Sequence, residues 1–362
     1  MNIKHALVVA CLGVLVASCG EAPTRVEEEP QITIFYPPLP EKPRLQYLTH
    51  ISIERDLKAE RASDFRKFLI GADQVRAWLV RPYSVAHSPG VIWVADRGRG
   101  EIVRIDLKAQ RMEALRTVQP GTFQDPGAIA VAPDGYLFVA DLKLERIIAL
   151  DPRGIPVRSY GEDGQFKPTD VAATEDRIYV ADIRDNEVEV IDRASGEVIQ
   201  RIGADEDAEG GLYRPAFIDL DAEGNLFVTD TFNFRVQVYD PEGNHLRSIG
   251  KLGDRPGYFA RPKGLAVDRN DYLYVADAAF ENIQIFDGRT GDVLLFFGTN
   301  GEGPGGTYLP VAVDIDYQNL EYFQRFVDPR FRLRYLIYVG NQSGRQRINV
   351  YGFGDWKGPK LN

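Results

Sequence analysis

The chain has 362 residues, with 43 Lys and Arg against 53 Asp and Glu, a formal net charge of −10 at pH 7. That excess of acid repels phosphate backbones and argues against a nucleic-acid partner. Cys11 and Cys19 are its two cysteines, so stability must rest on packing and not on a disulfide framework.

In chain order, Lys4 leads into an uncharged apolar stretch over residues 6–18, too short to span a membrane as a helix, which reads as an export signal over residues 1–18. The run Val16-Ala17-Ser18-Cys19-Gly20 resembles a bacterial lipobox. That resemblance implies cleavage before Cys19 and lipidation of its sulfur. Two or three acyl chains make such an anchor effectively permanent. Gly20, in place of the Asp that retains many lipoproteins in the inner membrane, implies the outer membrane of the cell envelope. Residues 19–43 hold Glu27-Glu28-Glu29-Pro30 and then Pro37, Pro38, Pro40 and Pro43, a composition expected of a flexible tether.

The rest is dominated by one recurring run. Ile92-Trp93-Val94-Ala95-Asp96, Leu137-Phe138-Val139-Ala140-Asp141, Ile178-Tyr179-Val180-Ala181-Asp182, Leu226-Phe227-Val228-Thr229-Asp230, Leu273-Tyr274-Val275-Ala276-Asp277 and Ile337-Tyr338-Val339-Gly340-Asn341 match position by position. Each is a β-rich segment ending at a turn former. Their last residues are 45, 41, 48, 47 and 64 positions apart, which suits four-stranded propeller blades with an insertion in the sixth. A Pro-led strand such as residues 261–267 precedes each run, and two further strands follow. Turns such as Pro133-Asp134-Gly135 and Arg269-Asn270-Asp271 join the first two. The stretch from Val228 to Asp240 resembles the NHL-repeat signature, a likeness that extends over about residues 80–352. The expected fold is all-β: an NHL-like six-bladed β-propeller over residues 44–354.

The sixth unit lacks a fourth strand before the chain ends, with 355–362 left as a tail. Residues 44–51 alternate as a strand and are assigned as the outer strand of blade six, closing the ring. Residues 56–71 have a mixed helical pattern expected to form an extra turn or short helix. The final segment, with Tyr335 to Gln342 and Ile348 to Gly354, resembles a bacterial family of exported six-bladed propeller lipoproteins often encoded near multihaem c-type cytochromes. This implies a place beside an electron-transfer complex, any haem belonging to a partner because the chain has no C-x-x-C-H site.

No residue is assigned to catalysis, metal or cofactor. The six blade-end Asp or Asn residues read as turn caps and the six aromatics as interblade packing. Once His5 leaves with the leader, His50, His87 and His245 fall at unlike places in the repeat, which makes three-His coordination improbable. Asp219 to Asp230 superficially resembles an EF-hand loop, but its later positions are strand residues and a hairpin explains it better.

Two irregular features keep functional interest. Arg81, Tyr83, Lys167, Asp170, Arg214, Arg261 and Lys263 stand where the chain enters the inner strands and could form a basic channel mouth. The blade-six insertion at about residues 316–335 carries Tyr322, Phe323, Arg325, Phe326, Arg330, Phe331, Arg332 and Arg334, an Arg and aromatic mixture suited to a protein interface. The leading expectation is a noncatalytic envelope lipoprotein that holds a protein partner, which the resemblance implies to be a multihaem cytochrome. The alternatives are a metal-dependent hydrolase or lyase at the central channel, or a small-molecule binding protein.

Overall fold

The computed structural model describes residues 33–58, 78–115, 123–205, 207–301 and 303–359. The expected leader, Cys19 and most of the expected tether lie outside them, as does the greater part of the helical pattern at 56–71, of which only the 3-10 turn Glu54–Leu57 overlaps the described chain.

Six antiparallel sheets form the blades. The inner strands are Pro82–Ser88, Pro126–Val131, Pro168–Ala173, Pro215–Leu220, Pro262–Val267 and Pro310–Asp316. Each touches the next, and the sixth touches the first, so the ring is closed. The recurring run forms the second strand of every blade. Both faces of that strand are covered, which is why it is apolar at nearly every position instead of alternating. In blade one, Ile92 and Val94 pack toward blade six, while Trp93 and Ala95 pack toward blade two.

The Asp ending each run fixes the entry of its blade's inner strand. Asp96 accepts from the backbone N–H of Val80 at 2.6 Å and Arg81 at 2.9 Å. Asp141 and Asp277 do the same for Gln124 and Ala260. Asn341 replaces the carboxylate in blade six, accepting from Tyr308 N–H at 3.1 Å. The aromatics at the second position, Trp93, Phe138, Tyr179, Phe227, Tyr274 and Tyr338, are all buried.

Blade six is closed by Leu45–Ile51 pairing with Ile348–Trp356. Two boundaries differ from expectation. Ile34–Tyr36 adds a fifth strand outside Leu45–Ile51, so the end of the expected tether belongs to the sheet. Phe35 explains this, because it packs against Phe331 and Trp356 at ring separations of 5.9 and 5.4 Å. The same contact extends the third strand to Trp356, past the expected start of the tail.

The insertion also departs from a loop. It makes the helical turns Leu320–Phe323 and Gln324–Phe326, and strand begins at Phe331. Asn319 ties it to blade one, its Oδ1 accepting from Gly90 N–H at 2.6 Å.

Candidate functional site

The inner strand of a blade has no neighbour on its channel side, so side chains in the channel compete to satisfy its free backbone groups. Three polar residues do this from one blade to the next. Ser84 Oγ accepts from Ile129 N–H, Asp170 Oδ2 from Ile218 N–H at 2.8 Å, and Asp219 Oδ2 from Val267 N–H at 2.8 Å. Stacking the inner strands on their leading Pro puts Ala86, Ala130, Ala172, Asp219, Ala266 and Asp314 at one level. Four small residues keep the channel open there, and the other two bring carboxylates.

One end of the channel is shut. Tyr83 of blade one and Phe217 of the opposite blade four stack across the axis, with centroids 5.5 Å apart and planes 30° apart. Arg97 lies over Tyr83 at 4.9 Å and is itself paired with Asp125. Burial pushes the Tyr83 hydroxyl up to about 12, although the Arg97 charge opposes it. Beyond this plug is a cup of about 350 Å³ walled by inner strands, with Asp170 level with Phe217 and Asp219, Asp314 and His87 toward the hairpin turns.

His87 and Asp314 bridge the seam between blades one and six. His87 Nδ1 lies 2.7 Å from Asp314 Oδ2, and Nε2 lies 3.6 Å from Asp316 Oδ1. Asp316 is fully buried and held by Gln318 N–H, the Asn319 side chain and the Tyr338 hydroxyl. Burial works to lower the His87 imidazolium, but the Asp314 charge and hydrogen bond outweigh it and lift the group to about 9. Burial raises Asp170 to about 8 against the N–H groups of Ile218 and Val171. It raises Asp219 to about 7 against those of Val267 and Leu220, with the Asp314 charge adding to the rise.

All three folded values lie above the ordinary ones, so the stability they contribute is greatest in acid and is lost as pH rises. For the two carboxyls the loss runs from about 4 through 7 and 8, and for His87 from 6.5 through 9. Thermal melts are therefore expected to show a midpoint that falls between pH 6 and 9. Asp170→Asn should flatten the fall, and a wild-type midpoint that climbs over this range would contradict the assignment.

The structure separates the residues expected at the channel mouth. Arg81, Lys167, Arg214 and Arg261 are exposed on the entry side, and Lys263 is half-buried there. Burial, then the charge of Arg261, holds Lys263 below the usual lysine range. The basic ring exists, but Tyr83 blocks the channel beneath it, and Asp170 is sealed inside. The basic residues therefore lie on the far side of the Tyr83–Phe217 pair from the cup.

On the insertion, much of the expected partner surface is engaged within the chain itself. Phe323 and Phe331 are buried at 3% and 4% exposure, and Tyr322 and Phe326 pack on the core between blades six and one. Arg325 donates to Leu57 O, Arg330 pairs with Asp328 and covers Trp356, and Arg334 pairs with Asp355. Arg332 is exposed. The mixture of Arg and aromatics holds the insertion on its own blade.

His87, Asp219 and Asp314 were missed as a group. The signal was present in the stacked inner strands, where two Asp interrupt a level of Ala, but a search for known motifs does not consult it.

A protein family described as "6-bladed beta-propeller" matches residues 219–295. Among solved structures, the chain is similar to a protein of unknown function from Bacteroides thetaiotaomicron, with 16% identity, a TM-score of 0.57 and coverage of 78% of this chain and 72% of that one. It is similar to a streptogramin B lyase with 15% identity, a TM-score of 0.52 and coverage of 75% and 83%. It is also similar to virginiamycin B lyase from Staphylococcus aureus with 15% identity, a TM-score of 0.50 and coverage of 75% and 84%. At these identities the likeness establishes the fold alone. It nevertheless corrects the expectation of a noncatalytic protein, since propellers of this form include lyases and the missing motifs carry no weight against catalysis.

Proposed function

We propose that the protein is a small-molecule hydrolase or lyase that works in the central cup, held in the cell envelope by a lipid on Cys19. The observation that carries the reading is the placement of Asp219 and the His87–Asp314 pair on one blind cavity of about 350 Å³. That volume is in the range of small-molecule sites. Near neutral pH the cup holds a carboxyl at its titration point and an imidazolium below its own, so one group takes a proton while another gives one. Asp314 fixes the imidazole orientation through Nδ1, while Nε2 faces the buried Asp316 at 3.6 Å, so two carboxylates favour the protonated ring. The lyase folds similar to this chain support an elimination or ring-opening reaction, and Val16 to Gly20 supports the envelope location.

The test is a mass-spectrometric screen of the protein against lactones, esters and cyclic depsipeptides, followed by a pH profile of any conversion found. The expected profile is bell-shaped, with limbs near 7 and 9. No conversion across the panel, together with no small-molecule effect on the cup's alanine methyl resonances, would count against the reading.

A further inference from the structure

Blade three carries a carboxylate cluster on its outer part, away from the cup. Blades one and four each place one arginine near the blade-end Asp. In blade one, Asp96 is followed by Arg99 and Glu101, and the Arg99 guanidinium pairs with Glu101 at 2.8 Å. In blade four, Arg235 Nε donates to Asp230 Oδ2 at 3.0 Å. The register is the same in blade three, where Asp182 faces Glu187 as Asp96 faces Glu101. There, the position of Arg99 is Asp185 and the position of Arg235 is Glu187. Blade three carries acids at both positions, whereas the other blades have Arg99 and Glu101, Leu144 and Arg146, Asn233 and Arg235, Phe280 and Asn282, and Gly344 and Gln346 there.

The consequence is visible at Asp182, which is fully buried. Its Oδ1 accepts from Lys167 N–H at 2.7 Å and Arg184 N–H at 2.8 Å. Its Oδ2 is buried and has no hydrogen-bond partner. Both oxygens are occupied in Asp96, Asp141, Asp230 and Asp277. One carboxylate oxygen from each of Asp182, Asp185 and Glu187 lies within 4.8 Å of the other two. Glu189, also fully buried, follows on the same strand. Arg201 pairs with Glu187 and, at 2.7 Å, with Glu189. Gln165 also donates to Glu189 at 2.8 Å, and Arg184, which feels the charges of Asp182 and Asp185, is hydrogen-bonded to Glu145 instead. Burial pushes Asp182, Glu187 and Glu189 above the usual carboxylate range. A buried carboxylate oxygen with no donor is costly unless a cation reaches it.

We infer that blade three binds a divalent cation, Ca²⁺, through Asp182, Asp185 and Glu187, which takes the place that Arg99 and Arg235 fill in blades one and four. The donors are all hard oxygens, and Ca²⁺ accepts them at about 2.3–2.6 Å in flexible geometry, completing its shell with water on an exposed side. Asp185 supplies that exposed side. Mg²⁺ demands a tighter octahedron and surrenders its own water reluctantly.

The experiment is calorimetric titration of the EDTA-treated, dialysed full-length protein with CaCl₂ and separately with MgCl₂, paired with thermal melts. One Ca²⁺ per chain is expected, with a raised melting midpoint and weaker Mg²⁺ binding. Asp185→Arg rebuilds the pattern of blade one at an exposed position. It should melt in EDTA at least as high as the unmodified protein while its Ca²⁺ response disappears. Glu187→Gln should weaken Ca²⁺ at least about tenfold, the loss of one charged ligand. Absence of Ca²⁺ binding, tighter binding of Mg²⁺, or undiminished binding by a folded Asp185→Arg protein would each overturn the assignment.

Discussion

A chain lacking residues 1–51 will not fold to a cooperative monomer. The strand Leu45–Ile51 supplies the outer neighbour of Ile348–Trp356, and without it the long third strand of blade six becomes a bare edge. Leu45, Tyr47, Leu48 and Ile51 are all buried in the described ring, at 0%, 7%, 5% and 1% exposure. Burying such side chains contributes about 1.5–3 kcal/mol each, so four of them amount to about 6–12 kcal/mol. A whole domain is stable by only about 5–15 kcal/mol. Unpaired strand edges also recruit other chains. Light scattering coupled to size exclusion should therefore show association, and denaturant should give no sharp transition. A truncated monomer melting like the intact protein would refute the role given to this strand. A gentler version is Tyr351→Ala. Tyr351 is fully buried and packs its edge on Phe297 at 4.8 Å and Tyr47 at 5.5 Å. Its loss should cost about 3–5 kcal/mol, the usual penalty for a large aromatic in a core.

Asp219→Asn should lower kcat/KM by about 10²–10⁴-fold once a substrate is in hand, the usual contribution of a positioned acid or base. The amide is isosteric but cannot take up a proton near neutrality. Asp219 also accepts from Leu220 N–H and Val267 N–H, each at 2.8 Å, and an amide can satisfy only one of them with oxygen. The mismatch should cost about 1–3 kcal/mol of stability, short of unfolding the ring. The loss should appear chiefly in kcat, with the limb near 7 gone from the pH profile. His87→Gln should instead remove the limb near 9. A folded Asp219→Asn protein within a few fold of the unmodified rate would dismiss this carboxyl as the base.

Most of the fold could be read from the chain because each blade repeats the same local solution. A run such as Leu273 to Asp277 declares its strand, its burial on both faces and its turn without reference to any distant residue. Even the ring closure was legible, since blade six visibly lacks a partner for Ile348–Trp356. Ile34–Tyr36 was not, because its surrounding prolines signal a tether and its strand depends on Phe35 reaching Phe331 and Trp356. The cup was hidden for a related reason. His87 and Asp314 are 227 residues apart, and no local pattern links them. Tyr83 reads as a channel-mouth residue, but nothing local pairs it with Phe217, and only the ring sets the two face to face. In the insertion, composition is ambiguous: Phe323 and Phe331 have the same identity whether they dock a partner or fill a core, and only burial tells the two apart.

The aromatic pair across the axis has a kinetic meaning as well. With Tyr83 against Phe217, the central channel is a vessel with one opening. Whatever enters on the side of the hairpin turns must leave by the same route, so product departure and substrate arrival compete for a single doorway. An occupant too large to turn within about 350 Å³ must enter with its reactive end first. Selection among molecules would then rest on the order in which their parts arrive as much as on which parts they contain.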